Sequence, residues 1–340
     1  MRVLLHDNQI CERGTTTSLV DYARVLRARS HEVEISYWRD APANVTSVIE
    51  RVREEFPLHA HPDRDHLPRS LGDFDSAYLI KAGSQDGILL PEAHNLIHAV
   101  FQEYDPHGSR YVYISEWLAQ AVQHEVNRPG NDQLERQGRE ALAHGCTNAL
   151  NFQHLDLIVD IPQPQPGIRQ QLGIPDDAFT ILRFGGYDTF DIGWAQHTVV
   201  RLLAENPHWY FLGLNTQPFT DHPRAIFLPL VPDTVEKASI IAASDVFLTA
   251  RGQGEAFGVA IAEALQIGIP VLAWDGGVDR NHIAMLQGLG GLFQRPWDLR
   301  RRLRRLARGK DPSSQAQRQA RGDRYRPSVV GPRLESLLTP

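Results

Sequence analysis

The sequence predicts an α/β protein with two Rossmann-like domains, and three observations support this expectation. Short apolar runs of strand length alternate with stretches of helical periodicity along most of the chain. With 340 residues, the chain is long enough for two α/β domains of ordinary size. The segment 161–167, IPQPQPG, is the strongest interruption of the alternation. We therefore expect a first domain over residues 1–160 and a second over residues 161–324, with a linker where they meet.

The composition is typical of a soluble globular protein. Charged residues make up 22% of the chain, hydrophobic residues make up 42%, and the formal net charge is −6. This charge gives no overall attraction to nucleic acid or to anionic membranes. The two cysteines, Cys11 and Cys146, have neither a metal-binding nor a redox spacing. Because the N-terminal apolar run is too short for a signal peptide, we expect a cytoplasmic enzyme.

The first domain begins with a Rossmann-type pattern. Two predicted strands, Arg2–His6 and Glu32–Tyr37, flank an amphipathic helix at Thr15–Ala28. The first strand is not followed by G-x-G-x-x-G, which argues against a dinucleotide-dependent oxidoreductase. The other predicted elements are a helix around Val45–Glu55, strands at Asp75–Lys81, Ala93–Phe101 and Arg110–Ile114, and a helix from Glu116 that Ser115 caps.

The second domain repeats the alternation of strands and helices. Its predicted strands are Thr180–Phe184, Trp209–Leu214, Ile226–Leu230, Val246–Ala250 and Pro270–Trp274. Its predicted helices are Thr198–Glu205, Glu236–Ala243 and Phe257–Ile267, the last of which Gly268 ends. This order of elements favours a second parallel sheet with helices packed on it.

The segment 251–277, RGQGEAFGVAIAEALQIGIPVLAWDGG, is the most informative part of the chain. It predicts a βαβ unit whose helix begins at the carboxyl end of a parallel strand, where N–H groups and the helix dipole can hold a diphosphate. Glu255 lies in the loop before the helix, and Glu263 lies more than one turn into it, where it could accept hydrogen bonds from ribose hydroxyls. The residues expected at the helix start are Ala256, Phe257, Gly258 and Val259.

Written as E-A-F-G-x-A-x-x-E-A-L-x-x-G-x-P-V, this segment resembles the donor site of retaining GT-B glycosyltransferases, especially those of family 4. The resemblance implies two Rossmann-like domains facing each other across a cleft, with the nucleotide sugar on the second domain and the acceptor mainly on the first. It also implies that Glu255 lies beside the transferred sugar and that Glu263 binds the ribose. Since family 4 enzymes usually need no catalytic metal, no cofactor is expected.

Three further positions follow from the same resemblance. It places Gly14 near the donor phosphates, His98 opposite the reacting sugar, and backbone groups near Val231 against the nucleotide base. For His98, a structural histidine is an equally good interpretation, and His107 is a competing candidate. The resemblance also implies that the C-terminal residues, about 325–340, form a helix that packs back onto the first domain.

The chain departs from the resemblance at the phosphate-binding cations. Relatives usually carry an arginine and a lysine in the loop after the first strand of the second domain. In this chain Gly185 and Gly186, which we still expect in the donor site, begin that loop, and Gly186 and Asp191 stand at the places of the two cations. An aspartate would repel a diphosphate, so another cation has to replace the missing pair. The possible replacements are Arg13, Lys81, Arg183 and Arg251.

Alternative functions stay open at this point. Loss of the cationic pair is compatible with a non-catalytic partner or binding subunit, and a sugar-nucleotide epimerase or phosphorylase could share the fold. Residues 298–326 carry ten arginines and one lysine, which could meet an anionic acceptor or membrane surface or form a solvated helix face. The histidines and aspartates of residues 59–66 could ligate a metal, but their spacing matches no recognised site.

Overall fold

The computed structural model describes residues 1–12, 14–67 and 71–339. The chain forms two compact units. The first unit contains Met1–Ile158 and the C-terminal segment that begins at Pro327. The second unit is Val159–Arg326.

The first unit contains a seven-stranded sheet in which neighbouring strands run parallel, in the order β3-β2-β1-β4-β5-β6-β7. Its strands are β1 Arg2–Asp7, β2 Glu32–Trp38, β3 Leu58–His61, β4 Ser76–Lys81, β5 His94–Ala99, β6 Arg110–Tyr113 and β7 Gln153–His154. Its helices are α1 Gly14–Ala28, α2 Thr46–Glu55, α3 Glu116–Val126 and α4 Asp132–Ala143. The central strands are buried on both faces, as expected for a parallel sheet that helices cover.

The second unit contains a six-stranded parallel sheet in the order β10-β9-β8-β11-β13-β15 and a separate pair of short strands, β12 and β14. Its strands are β8 Phe179–Phe184, β9 Trp209–Leu214, β10 Ala225–Leu228, β11 Val246–Thr249, β12 Gly254–Glu255, β13 Val271–Trp274, β14 Asp279–Arg280 and β15 Leu292–Phe293. Its helices are α5 Ile168–Gln171, α6 Gly193–Glu205, α7 Thr234–Ala242, α8 Val259–Ile267, α9 Asn281–Met285, α10 Pro296–Leu306, α11 Gln315–Gly322 and a 3₁₀ turn at Asp323–Tyr325.

The last helix, α12 at Pro327–Leu338, belongs to the first unit. It packs against α1, β4 and β5. Ser76 Oγ at the start of β4 donates a hydrogen bond to the carbonyl of Leu338, at 2.6 Å. Glu335 forms an ion pair with Arg29 and accepts a hydrogen bond from the His31 ring at 2.9 Å. These contacts fix the end of the chain to the first sheet.

Both sheets have a topological switch point, where successive crossovers change direction. It lies between β1 and β4 in the first unit and between β8 and β11 in the second. In open α/β sheets, ligands bind outside the carboxyl ends of the strands at this point. Each unit therefore has one edge at which a ligand site is expected.

The structure corrects several predicted element boundaries. Helix α8 begins at Val259, not Phe257, because Gly258 has φ 102°, a left-handed conformation that cannot belong to a helix. Strand β3 at Leu58–His61 is not among the predicted strands, because its histidines hide the apolar alternation of a strand. Within residues 1–12, 14–67 and 71–339, no helix combines the length and apolar character that crossing a bilayer requires.

Candidate functional site

The end of β8 carries a buried arginine at the second switch point. Arg183 is 2% exposed, and its Nη2 donates a hydrogen bond to Thr189 Oγ1 at 2.6 Å. Its buried Nε has no hydrogen-bond partner among the described residues. Burial lowers the pKa of Arg183 to about 10, although the nearby carboxylates of Glu255 and Asp191 oppose this shift. At Gly185, with φ 138°, a Cβ would lie 2.7 Å from Arg183 Nη1, so only glycine leaves room for the guanidinium.

Glu255 meets a second arginine after β11. Arg251 Nη1 donates to Glu255 Oε2 at 3.1 Å, and the side chains are 35% and 21% exposed. Burial raises the pKa of Glu255 above its ordinary value, while Arg251 and Arg183 act against the rise. Because Glu255 belongs to β12, its pairing with Arg280 of β14 fixes the backbone of the loop. The structure therefore brings Glu255, Arg183 and Arg251 together at the carboxyl ends of β8 and β11.

The helix start that follows Glu255 and Ala256 is held from two sides. Phe257 is buried and packs edge-on against Tyr325, with ring centroids 5.2 Å apart. Asn281 Nδ2 donates to the carbonyl of Phe257 at 2.7 Å. Gly258 then precedes α8, whose first turn from Val259 carries N–H groups without intrahelical acceptors. A phosphate group could bind at this helix start.

Glu263 lies on α8 and forms an ion pair that the sequence did not predict. Lys237 Nζ of α7 is 2.5 Å from Glu263 Oε1. Helix α7 follows the loop that contains Val231, and the Asp233 side chain caps it by accepting from the Glu236 N–H at 2.7 Å. No sequence pattern singles out Lys237, because it lies on a different helix from Glu263, 26 residues earlier in the chain.

The two positions that lack the expected cations have structural roles. Asp191 Oδ1 accepts a hydrogen bond from the Gly252 N–H at 2.6 Å, which connects the loop after β8 to the loop after β11. The carbonyl of Gly186 accepts from Thr189 Oγ1 at 2.8 Å, and the same Thr189 hydroxyl binds Arg183. The loop that contains Gly186 and Asp191 therefore holds Arg183 in place beside Glu255.

His98, which the resemblance places opposite the reacting sugar, has its hydrogen-bond partners inside the first unit. It is fully buried in the middle of the first sheet, where Nδ1 lies 2.6 Å from the Tyr78 hydroxyl and Nε2 lies 2.9 Å from the carbonyl of Leu155. Burial lowers its pKa to about 3. Because both ring nitrogens are bonded inside the first unit and the side chain has no exposed surface, these contacts favour the structural interpretation of His98.

The other predicted residues of the first unit have the following surroundings within that unit. Lys81 is buried and binds Asp86 Oδ1 at 2.5 Å and the carbonyl of Ile88 at 3.1 Å, so its charge is used internally. Gly14 is the first residue of α1, where an added Cβ would meet nothing within 4 Å. Arg13 lies outside the described residues.

The competing histidine, His107, has an unusual environment. Its Nδ1 is 2.6 Å from the carbonyl of Asp105, whereas its buried Nε2 has no partner among the described residues. It lines a cavity of about 780 Å³ in the first unit, together with Arg136 and Glu140. Burial lowers the pKa of His107 below its ordinary value. A neutral ring is therefore favoured at neutral pH.

Many arginines of the basic segment, residues 298–326, form ion pairs within the second unit. Arg300 and Arg304 bind Glu205, while Arg301 and Arg302 bind Asp298. The buried Arg318 pairs with Asp311 at 2.6 Å. Arg305, Arg308 and Lys310 remain exposed. In the part of the chain that the structure describes, no group of three or more histidine, cysteine or acidic side chains is arranged to hold a metal.

No protein-family profile matches the sequence, and no curated protein matches it. Solved structures do match. HepE of Anabaena, in complex with UDP and glucose, has a TM-score of 0.70 at 16% identity, and the match covers 99% of both chains. A glycosyltransferase from Rickettsia africae has a TM-score of 0.68 at 13% identity, over 99% of this chain and 97% of the other. The spinosyn forosaminyltransferase SpnP has a TM-score of 0.60 at 14% identity, over 100% of both.

These similarities extend over nearly the whole chain and include both Rossmann-like units. Because the sequence identities are low, the similarities show the fold and do not show the activity or the ligand. The expectation of two Rossmann-like domains is confirmed. The chain has the fold of the GT-B glycosyltransferases.

Proposed function

We propose that this protein is a retaining glycosyltransferase similar to those of family 4, which transfers a hexose from a nucleotide-diphosphate sugar to an acceptor. One observation carries the proposal. Glu255, Arg183, Arg251 and the start of α8 meet at the carboxyl ends of β8 and β11, where open α/β sheets bind ligands. The matched HepE structure contains UDP and glucose, which supports a nucleotide sugar as the ligand class.

Arg183 and Arg251 take the place of the missing phosphate-binding pair in this proposal. The two arginines come from adjacent strand ends and act on the same carboxylate, Glu255. Arg183 has an unpartnered Nε, and Arg251 is 35% exposed, so both have hydrogen-bonding capacity for a ligand. Guanidinium groups bind phosphate oxygens with fixed geometry and keep their charge at neutral pH. They would stabilise the negative charge that forms on the leaving diphosphate.

The reaction breaks the bond between the anomeric carbon and the diphosphate oxygen, and the oxygen of an acceptor hydroxyl forms a new bond at that carbon. The proton that this hydroxyl loses passes to the leaving diphosphate. The start of α8 and the two arginines bind the diphosphate, while Glu255 orients the donor sugar through its hydroxyl groups. Glu263 accepts hydrogen bonds from the ribose, and backbone groups near Val231 contact the base. We assign the acceptor to the first unit, and no metal cofactor takes part in the proposal.

Nucleotide titration followed by a donor assay tests this function. We expect UDP, GDP or ADP to raise the melting temperature, because a ligand that binds only the folded state stabilises it. The matching nucleotide sugar should then be hydrolysed slowly or transferred when an acceptor mixture is added. Without binding of any of these nucleotides, the enzyme proposal would be wrong.

A non-catalytic binding subunit is the second candidate. Gly186 and Asp191 stand where relatives carry cations, and Arg251 is already paired with Glu255, which favours a weaker or altered donor site. This candidate predicts nucleotide binding without turnover. The two outcomes of the same assay therefore separate the candidates.

We also propose a cytoplasmic location and retain the basic segment as a contact for an anionic acceptor or membrane surface. The exposed side chains that support this are those of Arg305, Arg308 and Lys310. Binding to anionic vesicles, measured by co-sedimentation at low and high salt, tests it. If neutral vesicles sedimented as much protein as anionic vesicles, a contact driven by charge would be contradicted.

A further inference from the structure

The carboxylate of Glu263 is oriented by one specific partner. Lys237 Nζ lies 2.5 Å from Oε1, and the side chains of Lys237 and Glu263 are 26% and 11% exposed. Among the described residues, no donor forms a hydrogen bond to Oε2. One oxygen is thus fixed by the protein, and the other is left for a ligand.

The position of this pair matches one part of a nucleotide. Lys237 lies in the first turns of α7, just after the loop that contains Val231, and Glu263 lies in α8, just after the helix start at Gly258. In a nucleoside diphosphate, the ribose lies between the base and the diphosphate. If the base binds near Val231 and the diphosphate near Gly258, the Lys237–Glu263 pair lies where the ribose is expected.

We propose that Lys237 is a positioning residue for the ribose, an inference that rests on the proposed function. Its ammonium group holds Oε1 of the Glu263 carboxylate, so that Oε2 is turned to accept hydrogen bonds from the ribose hydroxyls. Hydrogen bonds to a charged acceptor are stronger than those between neutral groups. Without Lys237, the carboxylate would lose both its orientation and its nearest compensating charge.

The test measures how Lys237 affects recognition of the ribose hydroxyls. Wild-type protein is titrated with UDP, GDP and ADP, and the nucleotide that binds is compared with its 2′,3′-dideoxy analogue. For Lys237→Met we expect about tenfold weaker binding of the nucleotide and little change for the analogue, because only the hydroxyls need Oε2. Lys237→Arg should restore the affinity for the normal nucleotide to within about threefold.

The chain offers a matched control. Arg201→Met removes a cation from the exposed surface of the same unit, outside the basic segment, and should change neither affinity. Melting temperatures without ligand are measured for each variant, and Lys237→Gln replaces Lys237→Met if that variant unfolds. Equal losses for nucleotide and analogue, or tighter binding by Lys237→Met, would overturn the role of Lys237. If wild-type protein bound none of the three nucleotides, the proposed function itself would fail, and this result is distinct from a failure of Lys237 alone.

Discussion

Both units place polar side chains at the carboxyl ends of their central strands, but the two units differ in the hydrogen-bond partners that these side chains have. At the carboxyl ends of β1 and β4, His6 is bonded to Ser36 Oγ at 3.0 Å and to Asn8 Oδ1 at 3.1 Å, and Lys81 is paired with Asp86. At the carboxyl ends of β8 and β11, Arg183 keeps a buried Nε without a partner among the described residues. Burial raises the pKa of a carboxyl group at both edges, Asp7 in the first unit and Glu255 in the second, so the two edges differ in the partners of their side chains and not in this shift.

This difference indicates where a ligand is needed. Buried polar groups in folded proteins are normally hydrogen-bonded, so a group without a partner requires an explanation. At the ends of β1 and β4, the first unit itself supplies the partners of His6 and Lys81, and these two side chains stabilise the fold. In the second unit, two arginines and a carboxylate are held close together, and Arg183 Nε has no hydrogen-bond partner among the described residues. Such an arrangement is expected when a ligand completes the site. Variants in the second unit should change ligand binding or turnover, whereas variants in the first should change stability.

The largest expected effect is on turnover. Glu255→Gln should reduce turnover by about 100-fold, since the negative charge that orients the donor sugar is lost, while nucleotide affinity should stay within about threefold. Donor turnover and nucleotide titration check the two quantities. The exposed Glu54→Gln on α2 is the matched control and should alter neither. A loss of affinity as large as the loss of turnover would mean that Glu255 binds the nucleotide rather than the sugar.

The second prediction tests the first unit. His98→Leu should lower the free energy of unfolding by about 2 kcal/mol, because the Tyr78 hydroxyl and the carbonyl of Leu155 lose their buried partner. Urea denaturation measures this effect, and nucleotide affinity measured well below the melting temperature should not change. Unchanged stability together with lost turnover would return His98 to the catalytic role suggested by the resemblance.

The third prediction concerns both ligand binding and stability in the second unit. Arg183→Met should weaken UDP binding by about tenfold, whereas binding of uridine, which lacks the diphosphate, should not change. The free energy of unfolding should stay constant or rise, since the substitution removes a buried charge with an unpartnered Nε. Titration with the two ligands and urea denaturation measure these effects, with the exposed Arg201→Met as control. Equal losses for UDP and uridine would show that Arg183 does not act on phosphate.

The smallest effect concerns Asp7, at the end of β1. Burial raises its pKa from the ordinary value of 3.8 to about 6. The folded state therefore binds the proton more tightly than the unfolded state, and stability is lost as pH rises from about 4 to about 6. Asp7→Asn should remove this loss and raise the free energy of unfolding by about 1 kcal/mol at pH 7, with little difference at pH 4. Urea denaturation across this range checks it; a difference that shrinks as pH rises would contradict the shift.

Much of the fold could be predicted from local sequence patterns. The strand Trp209–Leu214 was predicted with the bounds that the structure shows, because its apolar run is short and clearly bounded. Strand β3 was missed, since His59 and His61 break the apolar pattern even though the strand pairs with β2. The start of α8 was placed two residues early, because the sequence does not reveal the positive φ of Gly258.

The candidate site was predictable in part. The spacing of Glu255 and Glu263 around a helix start is a local feature, so the sequence was sufficient to place both residues. That Arg183 and Arg251 lie beside Glu255 depends on the pairing of β8 with β11, which are far apart in the chain. The sequence left both arginines as alternatives to Lys81 and Arg13, and burial with Asp86 removes Lys81 from consideration.

The sequence by itself determined the α/β class, the two-domain organisation that was expected, and a nucleotide-sugar site as a prediction. These depend on periodicity and on residues close together in the chain, which local physical rules can interpret. Only the tertiary structure decided that His98 is internal, that Asp191 connects two loops, and that Lys237 holds Glu263. Those outcomes depend on burial and on contacts between distant segments, because a side chain's partners are fixed by how the strands and helices pack and not by its neighbours in sequence.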